Sequence, residues 1–331
     1  MALRVARRAL VSVLLVLGVA TLLFFLVRAA PGDPLTTLSS PGATPESMER
    51  LRSSLALDRP LPEQFTRWIS SVARGDLGVS YTYRRPVTEV FREIIPNTLL
   101  LSGLALVLSF VLGVGVGVLQ ATRVGSPGDR VVSGITLTLY SIPSFWLAVM
   151  LVLVFSYLPA AVWGWSMHLP ASGMASVALE GAGPLGVLRD RLLHLFLPTL
   201  TLVLILGSGV ARFARASMIE ALDKDFVRGA RARGLSERRV VWGHALPNGI
   251  LPVVALLGLQ IPLLLGGTVF VEAVFAWPGM GKLMVDAILQ RDYPIIMGGG
   301  FLFAAVVVLA NLFADLLVAA VDPRVRLEAR R

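Results

Sequence analysis

Histidines, cysteines and closely spaced carboxylates carry most protein chemistry, and this 331-residue chain is poor in all three. It has no cysteine, which excludes disulfides, thiol catalysis and thiolate metal sites. Its three histidines, His168, His194 and His244, stand far apart and form no ligand-spaced pair. His194 and Ser208 share one apolar run and hint at an intramembrane serine hydrolase. Fourteen residues of helix would hold them roughly 21 Å apart, too far to share a proton. PGMGKL, 278–283, imitates the end of a phosphate-binding loop. Ala276 stands where that loop needs a glycine, and Leu283 where it needs Ser or Thr, so no nucleotide site is expected. GVGVG, 113–117, lies inside an apolar run rather than at a strand-to-helix turn. Gly113 and Gly117, four apart on one helical face, suit close helix packing in lipid, and Gly298 to Gly300 invite the same reading. Asp315, with Asn311 one turn before it, is the one carboxylate well inside an apolar run. Such an acid is a candidate proton or ion relay; its place near the basic tail favours structural pairing instead.

A different stretch carries the stronger signal. DFVRGARARGLSERRVVWGHALPN, 225–248, is basic and flanked on both sides by apolar sequence. It reads as two short helices. The first directs Phe226, Val227 and Ala230 to one side and Arg228 and Arg231 to another. Gly234 is placed as a C′ stop, Ser236 as an N-cap with Glu237 in the first turn, and Pro247 with Asn248 as the end. Attraction to anionic headgroups would supply about 1 kcal/mol per basic residue, but lipid alone does not need ordered stops. The spacing predicts a docking element.

The surrounding elements set where it docks. The chain is 55% hydrophobic and 15% charged, with mean hydropathy +0.75, against about 25% charged for a soluble domain. An integral membrane protein is expected. Six runs reach the roughly 20 apolar residues of a span: 9–27, 98–121, 131–158, 192–211, 250–270 and 293–321. The net charge of +9 is almost all arginine, Lys224 and Lys282 being the only lysines. Arg4, Arg7 and Arg8 place the N-terminus inside, so 122–130, 212–249 and the tail with Arg324, Arg326, Arg330 and Arg331 are cytoplasmic. Segment 31–97 is also rich in arginine, but it is acid-balanced and long enough to translocate regardless of charge. A cleaved signal peptide is the rival reading of the N-terminus. The first apolar run exceeds the usual ~7–15 residues, and no A-x-A site precedes Pro31, so the span is expected to stay. Within 31–97, Leu61, Phe65, Trp68, Ile69 and Val72 recur at helical spacing behind Pro60 and Pro62. Thr44, Pro45 and Glu46 open another short helix with Met48, Leu51 and Leu55 on its apolar face. Gly75 to Gly78 is turn chemistry. A small external helical cap follows.

The basic stretch resembles the EAA loop of ABC-transporter permeases, whose pattern is E-A-A, three residues, Gly, nine residues, Ile-x-Leu-Pro. Ala230, Gly234, Leu246 and Pro247 fall on it at the right spacing; Arg228, Gly229 and His244 stand in place of the Glu, first Ala and Ile. The run from Ala230 to Val240 is similar to the loop of the peptide/nickel subfamily. RAAPGDP, LDRPLPEQF, RGDLGVS, SIPSFWLAVML, VEAVFAWPGMGKL, RDYPIIMG and DPRVR look like further landmarks of that subfamily across nearly the whole chain; 158–192 departs most.

The resemblance implies an all-α, polytopic, type-I (MetI-like) permease of six spans. Its parts would be an N-terminal tip and first span (1–30), an external helical segment (31–94), a permease core (95–321) with a coupling loop (217–249), and a cytoplasmic tail (322–331). It would work in a bacterial inner membrane, both termini cytoplasmic, with a second homologous permease, two cytoplasmic ATPases that bind ATP and Mg, and an external solute-binding protein. No cofactor of its own, no metal, no catalytic residue and no nucleic-acid partner are implied. Phe226, Arg228, Ala230, Arg231, Gly234, Leu235, His244, Leu246 and Pro247 would form the ATPase-coupling surface. In those roles the arginines pair with acids on the ATPase, Phe226 and Leu235 fill a pocket, and Gly234 and Pro247 fix the angle. Di- or oligopeptides are the subfamily's default cargo; nickel complexes, glutathione and oligosaccharides are carried by relatives. Pathway-lining residues are not assigned. An ion-driven secondary transporter is the alternative, favoured by Pro143, Pro198 and Pro262 as helix breakers but lacking a duplicated half and midplane carboxylates. A non-transporting scaffold is the third.

Overall fold

A computed structural model describes residues 2–29, 44–54, 57–165, 168–176, 183–260 and 268–321. The described regular structure is helical, and the one β-contact is an isolated bridge between Val79 and Pro86. In chain order the helices are α1 (Ala2–Ala29), α2 (Pro45–Ser54), α3 (Leu61–Ala73), α4 (Val87–Ala121), α5 (Pro127–Ser141) and α6 (Ser144–Val152). A π-helical stretch, Leu153–Val162, continues α6. Then come α7 (Pro184–Leu222), α8 (Asp225–Ala232), α9 (Glu237–Val240), a π stretch Val241–Ala245, α10 (Leu246–Gly249), α11 (Leu251–Gln260), α12 (Val269–Val274), α13 (Met280–Gln290) and α14 (Tyr293–Val321).

Five described helical runs are long and apolar enough to cross a membrane: Leu10–Ala29, Val87–Ala121, Ser144–Val162, Pro184–Leu222 and Tyr293–Leu312. The expected span 131–158 is not one helix. Pro143 lacks an N–H and drives Ile142 into extended backbone (φ −74°, ψ 132°). The chain therefore breaks into α5, of 15 residues, and a new span from Ser144. Pro198 does not break its helix: it sits inside the 39-residue α7. The expected span 250–270 is represented by α11, whose 10 residues reach only about 15 Å; 261–267, with Pro262, lie outside the described residues.

The helices group into two compact units. One comprises Met1–Pro96 and Gly279–Leu309. There Val87, Val90, Phe91, Met280, Leu283, Ala287 and Ile295 form one apolar core. Phe24 and Val27 of α1 form another with Tyr293 and Met297, with Phe65 and Trp68 of α3 packed against it. Of the apolar stripe expected on α3, Phe65 and Trp68 pack here and Val72 is buried, whereas Leu61 at the helix start is 45% exposed. Asp292, fully buried, accepts from Ser80 Oγ (2.5 Å) and Thr82 N–H (2.9 Å), pinning that turn to the start of α14. Gly75 and Gly78 take positive φ (81° and 84°), as turn chemistry required.

The second unit comprises Asn97–Pro278 and Ala310–Arg331. Leu101, Ala105, Ala148, Leu195, Leu197, Val271, Phe275 and Trp277 share its main core. Trp277 donates to Asn97 O at 3.0 Å, and Asn97 donates back to Pro278 O at 2.9 Å. The buried Glu272 accepts from Thr98 and Thr268. Gly113 and Gly117 lie where α4 meets α7, the contact their spacing implied. Asp315 falls on α14, but its side chain lies outside the described residues, as do the tail arginines.

Candidate functional site: the anchored basic loop

The loop's shape begins with two small residues. On α8, Val227 and Ala230 are three apart, so they share a face; both are fully buried. They pack with Val240, Val241 and Ala245 of the following segment and with Val118, Ala121 and Met218 from the ends of α4 and α7. Gly234 then takes φ +76° and donates its N–H to Arg231 O at 2.9 Å, closing α8 in the left-handed cap that its sequence position predicts. Ser236 starts α9 with extended backbone, but its hydroxyl makes no capping bond.

Three expectations about side chains need correction. Phe226 does not join Val227 and Ala230: it is 42% exposed, because one residue further back is about 100° around the helix. Leu235 is half-buried against the loop's own core rather than presented outward, and so is Leu246. Pro247 does not end the second helix. The π stretch Val241–Ala245 widens the preceding turns, so the missing proline N–H falls at the start of α10, where no intrahelical partner is needed. Backbone runs on through Ile250 into α11.

The charges are arranged within the loop. Arg231 donates to Glu237 through Nε (3.2 Å) and Nη2 (2.7 Å), a two-pronged tie across the Gly234 turn. It holds the Glu237 carboxyl below its ordinary range and raises the Arg231 guanidinium. Both side chains are about half exposed, so the tie sets orientation more than stability. Arg228 pairs with Asp225 at 2.6 Å. His244 is half-buried, and its carbonyl accepts from Asn248. Besides Phe226, the loop exposes Arg228, Arg233, Arg238, Arg239 and Trp242. Trp242, 51% exposed, is missing from the sequence-predicted surface, although an aromatic following Arg238 and Arg239 is a legible sign of one. Beside Phe226 opens a cleft of ≈ 670 Å³, bordered by Glu220, Asp225, Asn248 and Pro252.

One polar tie fastens this element to α7, and a second fastens α7 to α5. Ser217 Oγ donates to Gly249 O at 2.6 Å, and Gly249 lies so close to α7 that a Cβ there would stand 2.7 Å from Met218 Sδ. Half a turn earlier, Arg215 grips Asp129 with Nε and Nη2, each at 2.9 Å. Asp129 is buried at the start of α5, where its N–H donates to the Ser126 hydroxyl and its carboxylate accepts from Gly125 N–H. The S-x-x-D string at 126–129 was a legible capping signal; the partner 86 residues on was not. Arg215 and these hydrogen bonds hold Asp129 down to about 2.

A group depressed in the folded state stabilises above its unfolded pKa and stops doing so as pH falls through the folded value. The melting-temperature gap between wild type and Asp129→Asn is therefore expected to stay constant from about pH 8 to 5 and to shrink below about pH 4. A gap that closes near neutrality in a thermal-shift titration would contradict the pairing.

The rejected hydrolase pair stays apart in its bonding: His194 Nδ1 contacts Asp190 O at 2.8 Å, and Ser208 donates to Leu204 O at 2.5 Å. Among the described residues no cluster of three His, Asp or Glu is placed to hold a metal.

Residues 113–327 match the family described as "Binding-protein-dependent transport system inner membrane component", and residues 1–102 match the corresponding N-terminal family. The oligopeptide transport system permease protein AppB of Bacillus subtilis (strain 168) is 38% identical over 98% of this chain and 99% of its own length. The dipeptide transport system permease protein DppB of Escherichia coli (strain K12) is 38% identical over 94% of each chain. The glutathione transport system permease protein GsiC of Escherichia coli O6:H1 is 38% identical over 93% of this chain and 94% of its own length. Matched along nearly its whole length, the chain belongs to the binding-protein-dependent transport system inner membrane components, as a multi-pass permease.

Proposed function

We propose that this chain is a permease subunit of an ABC importer for di- or oligopeptides, and that the 225–248 loop is its coupling element. The cargo follows from the relatives named as oligopeptide and dipeptide permeases. The coupling role rests on one observation: an ordered helical pair, packed on the ends of α4 and α7, presents Phe226 beside an open cleft and leaves Arg228, Arg233, Arg238 and Arg239 exposed on the same loop. The basic loop and both termini face the cytoplasm, with a second permease alongside, two ATPases below and a solute-binding protein outside. ATP and Mg are held by the ATPases.

In this mechanism the chain supplies a lever. Closure of the ATPase pair on ATP moves the docked loop as a rigid body. The buried contacts of Val227 and Ala230 with Met218, and the Ser217–Gly249 bond, pass that displacement to α7 and α4. Arg215–Asp129 carries it to α5. The spans then reorient between inward- and outward-facing states. Lys224 also borders that cleft and pairs with Glu220, and Asp225 pairs with Arg228, so its charged rim is balanced within the chain.

Phe226→Asp tests this. Its ring is exposed, so the fold is retained, while an anchoring aromatic at an interface is worth about 2 kcal/mol or more. The ATPase subunits that co-purify with the wild-type chain in mild detergent are expected to fall at least about ten-fold for the variant. Full retention of ATPase and of peptide-stimulated hydrolysis would remove Phe226 from the docking surface.

A further inference from the structure

The unit formed by Met1–Pro96 and Gly279–Leu309 encloses a cleft of ≈ 410 Å³ that the transport mechanism does not use. That volume falls within the ~300–1,000 Å³ of small-molecule sites. Arg28 from the end of α1, Gln64 and Trp68 from α3, Asp76 and Tyr81 from the following turns, and Tyr293 from α14 line it.

Two of these residues are left half-satisfied. Gln64 is only 8% exposed. Its amide NH2 donates to Arg59 O at 2.8 Å, which fixes the orientation of the group and leaves Oε1 buried with no donor among the described residues. Arg28 has the opposite deficit: Nε is buried and has no acceptor among the described residues. Its guanidinium sits 5.6 Å over the Phe24 ring, which stacks on Trp68 (5.7 Å between centroids), so the cation is held in place by aromatic faces rather than by a carboxylate. A buried donor lacking an acceptor and a buried acceptor lacking a donor both cost free energy until the missing partner arrives. Arg28 and Gln64 both line the one cleft, which suits a ligand that carries an anion and a donor at once. Asp76 adds a carboxylate to the lining, and Arg67 a second guanidinium, paired with Glu63 at 2.8 Å.

We propose that this cleft binds a small zwitterion, with its carboxylate or phosphate on Arg28 and its ammonium on Gln64 Oε1 and Asp76. Two sources share that chemistry: a soluble amino acid or short peptide, and the phosphoethanolamine headgroup of a lipid at the end of α1. The proposal stands without the transport reading, since the cleft is built from this chain alone.

The test is calorimetric titration of the full-length chain in detergent with dialanine and with O-phosphorylethanolamine, using acetate and ethanolamine as single-charge controls. A zwitterion is expected to bind at least about ten-fold more tightly than either control. Arg28→Met and Gln64→Leu should each weaken it by a similar factor, while Arg74→Met, outside the cleft, leaves it unchanged. Melting curves without probe show whether the variants fold; the wild-type series decides the question even if they do not. Preference for dialanine assigns the soluble source. Preference for phosphorylethanolamine, with phosphatidylethanolamine retained in native mass spectra and lost on Arg28→Met, assigns the lipid. Zwitterions that bind no better than acetate and ethanolamine, with no retained lipid, overturn the proposal.

Discussion

Gly234→Pro is expected to uncouple ATP hydrolysis from transport while leaving the chain in the membrane. Three local conditions fail at once. Proline holds φ near −65°, whereas Gly234 sits at +76°. Proline also has no N–H to give Arg231 O, the bond that closes α8. In addition it disfavours α-like backbone in the residue before it, and Arg233 sits at φ −80°, ψ 4°. The turn must therefore rebuild, which separates Arg231 from Glu237 and strips Val227 and Ala230 from their shared core with Val240 and Val241. None of the five long apolar helices includes residue 234, so insertion survives. In proteoliposomes carrying all subunits, peptide-stimulated ATPase should drop to the unstimulated rate. Gly234→Ala, which keeps the N–H but places a Cβ in left-handed backbone at about 1–2 kcal/mol, should give an intermediate rate. Wild-type stimulation in Gly234→Pro would show that the loop is not the coupling element.

Gly117→Leu should cause the largest loss of stability. A Cβ at Gly117 would lie 2.6 Å from Ala211 O, 2.7 Å from Ala214 Cβ and 2.8 Å from Arg215 N. Two of those are backbone atoms, which cannot swing aside, so α7 itself must move. Overpacking usually costs about 1–3 kcal/mol, and a backbone-to-backbone clash belongs at or above the top of that range. Displacing α7 also disturbs Met218 with Val118 and Ala121, hence the seat of the basic loop. Gly115→Leu is the control: two residues away on the same helix, its added Cβ meets nothing within 4 Å. Melting by fluorescence-detected size exclusion should drop sharply for Gly117→Leu and barely for Gly115→Leu. Equal melting would mean that α4 and α7 do not approach closely at this point.

What could be read from the amino acids alone was whatever rests on local backbone preference and on partition between water and lipid. Length and apolar content announced a membrane protein, and the 3.6-residue period of Leu61, Phe65, Trp68 and Val72 announced α3. Gly234 announced its own left-handed cap, because a side chain there would strain the backbone whatever packed nearby. Gly113 and Gly117 announced a close helix contact by spacing.

Other features needed the assembled chain. A helical wheel separates faces but not which face finds a neighbour: sequence puts Phe226 with Val227 and Ala230, whereas Val118 and Met218 pack with only the latter two. Pro143 and Pro198 carry the same covalent restriction, yet one ends a helix and the other sits within α7. Asp129 and Arg215 meet across 86 residues, and Gln64 and Arg28 line one cleft from separate helices. Such meetings depend on how α4, α5 and α7, or α1 and α3, are brought side by side. A sequence determines what each residue can offer its own turn of helix; only the packed fold determines which distant residue stands within hydrogen-bonding reach.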